Sequence, residues 1–216
     1  MCNLYSETKA VDAIRAIVRD LEGGRGLNLP PLPGIFPDQL APVVTKDASG
    51  KRTLEMMRWG FPPPEGEKDL VTNARRLQYG FWQPHLDSRC LVPVTAFCEY
   101  QDGPPPKTPT WFARPAQGDD TRPLFFFAGL WCNWVGPRGP KKSSIEGEHR
   151  LFAFLTTRPN ELVKPVHSKA MPVILPDAAA CDLWLDGSRE EALKLQAPAP
   201  EHMLTIVNRG PRKDEG

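Results

Sequence analysis

Proline is the residue that most constrains how this chain can fold. It accounts for 25 of the 216 residues, about 12%, where about 5% is usual. Because proline lacks a backbone N–H and disrupts a helix interior, this content favours many short strands and irregular loops. The length corresponds to one domain, or at most two small ones. The sequence therefore argues against a helical bundle.

Hydrophobic periodicity and turn residues predict the elements. A helix over residues 10–21 is expected to be capped by residues 6–8 and ended by Gly23 and Gly24. A hairpin is expected around a turn at 47–50, and a second helix over 74–83. Further strands are predicted at 90–100, 110–113, 124–131, 150–157, 171–175 and 203–207, with short helices after Asp177 and over 189–195.

This order predicts a single α+β domain over residues 1–210. It consists mainly of an antiparallel, barrel-like β-sheet with a few flanking short helices. We expect residues 211–216 to form a disordered tail. No run approaches the roughly 18 apolar residues of a membrane-spanning helix, so no membrane association is expected.

Charge and cysteine content narrow the functional classes. There are 27 Lys and Arg residues against 26 Asp and Glu, so a nucleic-acid site must be a local basic patch. The five cysteines are odd in number, lack Cys-x-x-Cys spacing and follow no signal sequence. They predict free thiols in a cytoplasmic protein. The four histidines are scattered, and neither a metal site nor a phosphate-binding glycine loop is indicated.

Cys2 is the most informative residue for chemistry. Removal of Met1 would leave an α-amine with a pKa of about 7.7 to 8.0 beside a thiol with a pKa of about 8.5. An aldehyde reacts with such an amine to form an imine, and the thiol then closes a five-membered thiazolidine. No internal cysteine can form this product. The alternative is ordinary Met1 removal without a function for Cys2.

Three polar residues are candidates for proton transfer or orientation. Glu99 lies in an apolar, strand-like run that would raise its pKa, although an edge-strand or ion-paired glutamate is an alternative. His167 precedes an apolar strand and suits a general acid or base, or equally a surface loop. Asn73 precedes the second predicted helix, where capping is its default role.

Basic and aromatic residues alternate at Arg58-Trp59, Arg75-Arg76, Phe81-Trp82 and Arg89. This mixture suits single-stranded nucleic acid, where arginine binds phosphates and flat rings stack on bases. The alternative is buried tryptophans flanked by solvated charges.

Five ordered motifs together resemble one family, the SOS-response-associated peptidase (SRAP) family. The resemblance extends from Cys2 to about Asn208. Its motifs are Met1-Cys2, Met57-Arg58-Trp59-Gly60-Phe61, Asn73-Ala74-Arg75, Arg89-Cys90-Leu91-Val92-Pro93 leading to Phe97-Cys98-Glu99-Tyr100, and His167 ahead of Met171-Pro172-Val173-Ile174-Leu175.

The resemblance implies an α+β protein that binds single-stranded DNA and traps abasic sites in a covalent crosslink, with autoproteolytic and lyase activity as further expectations. It makes Cys2 the nucleophile after Met1 removal. Asn73 would orient the amine or sugar, Glu99 would transfer protons, and His167 would assist ring opening, crosslink reversal or strand cleavage. The implied DNA contacts are Arg58, Trp59, Arg75 and Arg89. We expect a monomer without a cofactor, in the cytoplasm and at the nucleoid if the source is bacterial.

The sequence departs from the family pattern at three places. Members more often begin Met-Cys-Gly-Arg, where this chain has Asn3 and Leu4. The residues after Arg75 differ from those usual in the family, and Tyr100 stands where tryptophan is common.

Two other functions remain open. One is a cysteine peptidase with an N-terminal nucleophile that acts on other proteins. The other is a noncovalent reader of modified DNA bases, for which Cys2 would be incidental.

Overall fold

The computed structural model describes residues 2–22, 28–139 and 141–214. Three α-helices lie among fourteen strands: α1 (Val11–Ile17), α2 (Ala178–Asp186) and α3 (Arg189–Leu193). The strands are β1 (Tyr5–Glu7), β2 (Leu21–Glu22), β3 (Leu32–Ile35), β4 (Leu40–Lys46), β5 (Arg52–Trp59), β6 (Asn73–Ala74), β7 (Arg89–Val94), β8 (Ala96–Tyr100), β9 (Pro109–Ala113), β10 (Phe125–Val135), β11 (Glu148–Thr157), β12 (Met171–Pro172), β13 (Ile174–Leu175) and β14 (Thr205–Arg209). Short 3₁₀ helices lie at Gln83–His85, Lys141–Ser143 and Glu201–Met203.

Five strands of the larger sheet form a closed barrel. Strands β5, β4, β7, β10 and β11 pair in this order with antiparallel neighbours. Parallel pairing of β11 with β5, where Leu151 faces Arg58 and Phe152 faces Trp59, closes the circle. Closure satisfies backbone groups that an open sheet would leave at its edges. The predicted fold, a mainly antiparallel, barrel-like sheet with a few short helices, is confirmed.

A second, five-stranded sheet lies beside the barrel in the order β14, β9, β8, β1, β3, with antiparallel pairs throughout. The chain passes from the barrel into this sheet at Thr95, between β7 and β8. The Thr95 N–H donates to the Ser6 carbonyl at 2.8 Å. The single strand expected over 90–100 is therefore two strands in different sheets.

The core contains a group of aromatic side chains that the strands direct inward. Trp59 stacks on Phe154 with ring centroids 5.1 Å apart, and the Tyr5 ring meets Trp59 edge-on at 5.2 Å. Such pairs add to the stabilisation from burial alone. Cys2 belongs to the same cluster, so the N-terminal segment packs as part of the core.

Two helix predictions are confirmed near the C-terminus, where Asp177 accepts from Ala180 N–H and caps α2, and Ser188 forms a capping box with Glu191 at α3. The first helix is shorter than expected. It begins after Ala10, not at a cap in residues 6–8. Gly23 and Gly24, expected to end it, lie outside the described residues.

The prediction of a helix over residues 74–83 is wrong. The backbone of Asn73 and Ala74 pairs with β11 instead, opposite Phe154 and Leu155. Turns follow, and the Trp82 ring packs against Phe61 at 5.3 Å. Tertiary packing and the strand ladder thus override a weak helical pattern.

The C-terminal segment is fixed as far as Asp214, although a disordered tail was expected from 211. The Asp214 carboxylate is buried and accepts from the Arg122 guanidinium at 3.0 to 3.2 Å and from Ser6 Oγ at 3.0 Å. Its N–H donates to the Pro33 carbonyl at 2.8 Å. These contacts hold the segment against β1 and β3. Within the described residues, no helix has the length and apolar character needed to cross a membrane.

Candidate active site

Cys2 lies just before β1 and is fully buried. The segment is held by Cys98 N–H, which donates to the Leu4 carbonyl at 2.9 Å. The Cys2 thiol is 3.5 Å from the Leu4 carbonyl and 3.7 Å from the Cys98 carbonyl, and it can donate to either. Burial, together with the nearby Glu99 carboxyl, raises the pKa of this thiol well above its usual value. Cys2 is therefore a neutral thiol at neutral pH.

Asn73 binds Cys2 directly. Its amide Nδ2 donates to the Cys2 carbonyl at 3.0 Å and to Thr72 Oγ1 at 2.7 Å. The Asn73 Oδ1 atom is buried without a hydrogen-bond partner among the described residues. Because Asn73 is in β6 and no helix follows it, the capping role is excluded. Its side chain fixes the N-terminal segment and leaves one acceptor available.

Glu99 is in β8 and is 2% exposed. Strand β8 lies between β9 and β1, so the edge-strand alternative does not apply. Desolvation by burial raises the pKa of Glu99 to about 8, opposed in part by a hydrogen bond with Cys2. Its Oε1 atom has no hydrogen-bond partner among the described residues. At neutral pH, Glu99 is thus mainly a neutral acid beside the Cys2 thiol.

His167 completes the group from the loop between β11 and β12. Its Nε2 atom is 3.9 Å from Glu99 Oε2, which is contact distance but too long for a hydrogen bond. The residue is buried, although it lies in a loop as the alternative interpretation assumed. Burial lowers the pKa of His167 below its usual value, so the imidazole is neutral at neutral pH.

The structure brings all four predicted residues together. Cys2 offers a nucleophile, Asn73 an amide, Glu99 a protonated acid and His167 a neutral base. The group is buried, so its electrostatic and hydrogen-bonding interactions are stronger than in water. A constellation of this kind is suited to nucleophilic addition with proton transfer.

The family model for the SOS response associated peptidase (SRAP) matches residues 1–209. The chain belongs to the SRAP family. Its relative in Bacillus subtilis, the abasic site processing protein YoaM, is 29% identical over 152 residues. The match covers 65% of this chain and 60% of YoaM, so the chain spans less than two thirds of that relative's length.

Solved structures share the SRAP chain's fold. A protein from Bordetella bronchiseptica is 21% identical with a TM-score of 0.73, covering 96% of this chain and 100% of that one. A Bacteroides thetaiotaomicron protein is 20% identical with a TM-score of 0.70, covering 96% and 92%. A phage-related protein from B. bronchiseptica is 21% identical with a TM-score of 0.70, covering 95% and 93%. At these identities the similarity concerns the fold.

The residues expected to contact DNA lie in different environments. The Arg75 guanidinium is exposed and donates to the carbonyl of Lys169, two residues after His167. Arg58 donates to the Asp38 carbonyl, and Arg89 to the Gly187 carbonyl at 2.7 Å. Arg75 is thus the one of these three that is bound to the His167 loop by a described hydrogen bond.

Trp59 has a structural role instead of the expected contact with DNA. Its ring is fully buried and its Nε1 donates to the Thr72 carbonyl at 3.0 Å. No face of the ring is open for stacking on a base. The alternation of basic and aromatic residues misled the sequence interpretation at this position, because an inward-facing strand residue next to an arginine gives the same pattern.

A departure from the SRAP pattern also has a structural account. Leu4 is fully buried, where members of the family more often carry arginine. Asn3 Oδ1 accepts from Thr72 Oγ1 at 3.1 Å. The residues that follow Cys2 are therefore bound to the protein without a basic residue.

A cleft of about 540 Å³ adjoins the His167 loop. Ser168 lines it together with the basic side chains of Arg158 and Lys164. Lys164 also lies 3.5 Å from Glu161. Glu161 and Glu201 also line the cleft, so its basic and acidic side chains balance. Arg75 is the exposed basic residue bound to the His167 loop.

Asp102 is a site residue that sequence reasoning missed. Its Oδ1 atom is 3.3 Å from His167 Nδ1. It lies three residues after Glu99, in a stretch rich in glycine and proline, where an aspartate is usually a turn residue. The only sequence signal was this proximity to Glu99.

Proposed function

We propose that this protein binds single-stranded DNA and traps abasic sites covalently through Cys2. The observation that carries the proposal is the buried contact of Cys2 with Asn73 and Glu99, with His167 beside Glu99. The membership of the SRAP family and the name of YoaM support DNA abasic sites as the target.

The chemistry begins after Met1 has been removed. The free α-amine of Cys2 adds to the aldehyde carbon of the ring-opened deoxyribose, and loss of one water gives an imine. The Cys2 sulfur then adds to the imine carbon, and the thiol proton is transferred to the nitrogen. The product is a thiazolidine, formed with the net loss of one water.

Each neighbouring group has a defined part in these steps. The Glu99 carboxyl donates a proton as water leaves, and it is protonated at neutral pH because burial raises its pKa to about 8. His167 accepts and returns protons during opening of the sugar ring and reversal of the crosslink. Asn73 fixes the Cys2 carbonyl and so orients the attacking amine.

The same groups can promote strand cleavage by β-elimination from the imine. In this reaction, a base removes a proton next to the imine carbon and the 3′ phosphate leaves. We assign the role of this base to His167. The proposal therefore includes lyase activity in competition with thiazolidine closure.

Substrate choice follows from the buried site. An abasic sugar carries no base, so entry avoids the few kcal/mol that extrusion of a stacked base costs. Arg75 supplies positive charge for the backbone phosphates near the His167 loop. Noncovalent binding should weaken with salt, whereas the crosslink should resist salt once formed.

The test is incubation of the purified protein with single-stranded DNA that contains one abasic site. Intact mass first verifies the loss of Met1, and denaturing gels then follow adduct and cleaved strand over time. We expect an adduct with the summed mass less one water. The variant Cys2→Ala keeps the α-amine but can form only the reversible imine, so no adduct should survive the denaturing gel. The matched control Cys132→Ala removes a partly exposed free thiol and should react like the wild type.

Two results would overturn the proposal. One is the absence of an adduct from protein verified to lack Met1. The other is an adduct that Cys2→Ala forms equally well. Cleavage of unrelated peptides that depends on Cys2 would favour the peptidase alternative. Undiminished noncovalent binding of modified bases by Cys2→Ala would favour the reader of modified DNA.

A further inference from the structure

Asp102 holds three consecutive residues of the loop that carries His167. Its backbone N–H donates to the Val166 carbonyl at 2.8 Å. Its Oδ2 atom accepts from Ser168 N–H at 2.8 Å and from Ser168 Oγ at 2.6 Å. Its other oxygen, Oδ1, is 3.3 Å from His167 Nδ1. One aspartate thus binds the residues before and after His167 and the imidazole itself.

The contact with Asp102 favours the tautomer of His167 that carries its proton on Nδ1. The Ser168 hydrogen bonds lower the pKa of Asp102 to about 2, so its carboxylate is an acceptor only. A neutral imidazole next to such an acceptor carries its proton on Nδ1. Nε2 then carries the lone pair and lies 3.9 Å from Glu99 Oε2. In this tautomer, Nε2 is an acceptor beside the neutral Glu99 carboxyl.

We propose that Asp102 is a positioning residue that fixes His167 in the tautomer with the proton on Nδ1 and aims Nε2 at Glu99. The proposal rests on the proposed function for its effect on the reaction, but the tautomer itself exists without DNA. Asp102 does not touch the reacting atoms. It acts through His167, and Ser168 holds its carboxylate in place.

Several charged groups act on His167 from the surrounding segments. Asp102 favours its protonation, whereas Lys169 and the positive charge of the amino terminus oppose it. Glu99 faces Nε2 from β8. Because Asp102 Oδ1 lies 3.3 Å from Nδ1, its replacement should change the proton's position as well as the charge.

The variant Asp102→Asn tests the proposal. An asparagine can keep accepting from Ser168 through Oδ1, but it then presents an N–H donor to His167 Nδ1. The imidazole proton should therefore move to Nε2, which is then no longer an acceptor beside Glu99. The first readout is the ¹⁵N NMR spectrum of the histidine side chains, with the His167 signals assigned by their loss in His167→Ala. We expect inversion of the His167 tautomer and a lower His167 pKa.

The second readout is the rate of adduct formation. General acid or base catalysis contributes about 10²–10⁴-fold to a rate. We expect adduct formation by Asp102→Asn to be about 10-fold slower than by the wild type at neutral pH. The combination Asp102→Asn with His167→Ala should be no slower than His167→Ala alone, because residues that act as a unit are not additive.

Two controls separate positioning from other effects. Asp119→Asn removes an exposed carboxylate from another loop and should change neither the tautomer nor the rate. Ser168→Ala keeps the Asp102 carboxylate, so the tautomer should remain while the rate falls less than in Asp102→Asn. Because the Asp102 side chain is 40% exposed, Asp102→Asn should fold, and thermal unfolding verifies folding of every variant.

The outcomes are distinguishable from failure of the proposed function. If the wild type forms no adduct, that function fails, while the NMR spectra still decide whether Asp102 fixes the tautomer. An unchanged His167 tautomer in Asp102→Asn overturns the proposal, whatever the rate. Additive rate losses in the combined variant overturn it as well.

Discussion

Replacing Glu99 with glutamine separates the contribution of this residue to catalysis from its cost to stability. Glutamine keeps the size and shape of the side chain but neither ionises nor serves as an acid. Glu99 is 2% exposed, and burial raises its pKa from 4.5 to about 8. We therefore expect Glu99→Gln to be slower in the reaction and more stable in alkaline solution.

The stability effect follows from the proton balance of folding. The unfolded carboxyl loses its proton near pH 4.5, whereas the folded one keeps it up to about pH 8. Between these values the folded state binds more protons, so the free energy of unfolding of the wild type falls as pH rises. One pKa unit corresponds to about 1.36 kcal/mol, which gives an upper limit of about 4 to 5 kcal/mol. In Glu99→Gln this fall in the free energy of unfolding with rising pH should be absent.

Whereas Glu99→Gln should stabilise the protein in alkaline solution, it should slow adduct formation. A carboxyl with a pKa of about 8 is protonated at neutral pH and can donate as water leaves. Glutamine cannot, so adduct formation should slow by about 10²–10⁴-fold, the usual contribution of a general acid. If this donation limits the rate, the wild-type rate should also decline as pH rises above about 8, and the residual rate of the variant should lack that decline.

Urea unfolding at pH 5 to 9 and adduct formation over the same range measure the two effects. Glu146→Gln is the matched control, because Glu146 is exposed and should alter neither. A constant difference in unfolding free energy between wild type and Glu99→Gln across this range would refute the burial argument. Unchanged adduct formation in the folded variant would remove Glu99 from the mechanism.

Three further predictions concern the fold. Glu7 is buried with its pKa raised to about 7, so Glu7→Gln should gain up to about 3 kcal/mol over the wild type between pH 4.5 and 8 in urea unfolding; a pH-independent difference would contradict this. Asp214→Ala leaves Arg122 unpaired at a mostly buried site and should cost about 3 to 5 kcal/mol; a loss below about 1 kcal/mol would show that the C-terminal segment is not held as described. Trp59→Ala empties a core position and should cost about 3 to 5 kcal/mol, whereas wild-type stability with weakened DNA binding would restore Trp59 as a DNA contact.

The strands were predictable because short runs rich in apolar and β-branched residues, such as those of β4 and β5, are bounded by turn residues. The hairpin of β4 and β5 also carries its own turn signal at 47–50, where Gly50 has a φ of 86° and Asp47 Oδ1 accepts from Ser49 N–H. These are local features. The division of 90–100 at Thr95 was not predictable in this way, since both halves are apolar and only pairing with β1 separates them.

The candidate site shows the same distinction. Cys2 and Glu99 could be selected from the sequence because their chemistry is unusual in their local context. Asp102 could not, since its contact with His167 joins positions 65 residues apart through a loop. The role of Asn73 was equally hidden, because the segment after it has a helix-like pattern and the contact with Cys2 depends on pairing of β6 with β11.

Burial of the site determines which nucleophile of Cys2 reacts first in the proposed reaction. The same desolvation that raises the pKa of Glu99 also raises that of the Cys2 thiol and lowers that of His167, so all three groups are neutral at neutral pH. A neutral thiol is a poor first nucleophile, whereas an α-amine in the same site is favoured in its neutral, reactive form. The amine should therefore attack the aldehyde first. The thiol then reacts with an imine carbon held beside it, where proximity compensates for its weak acidity.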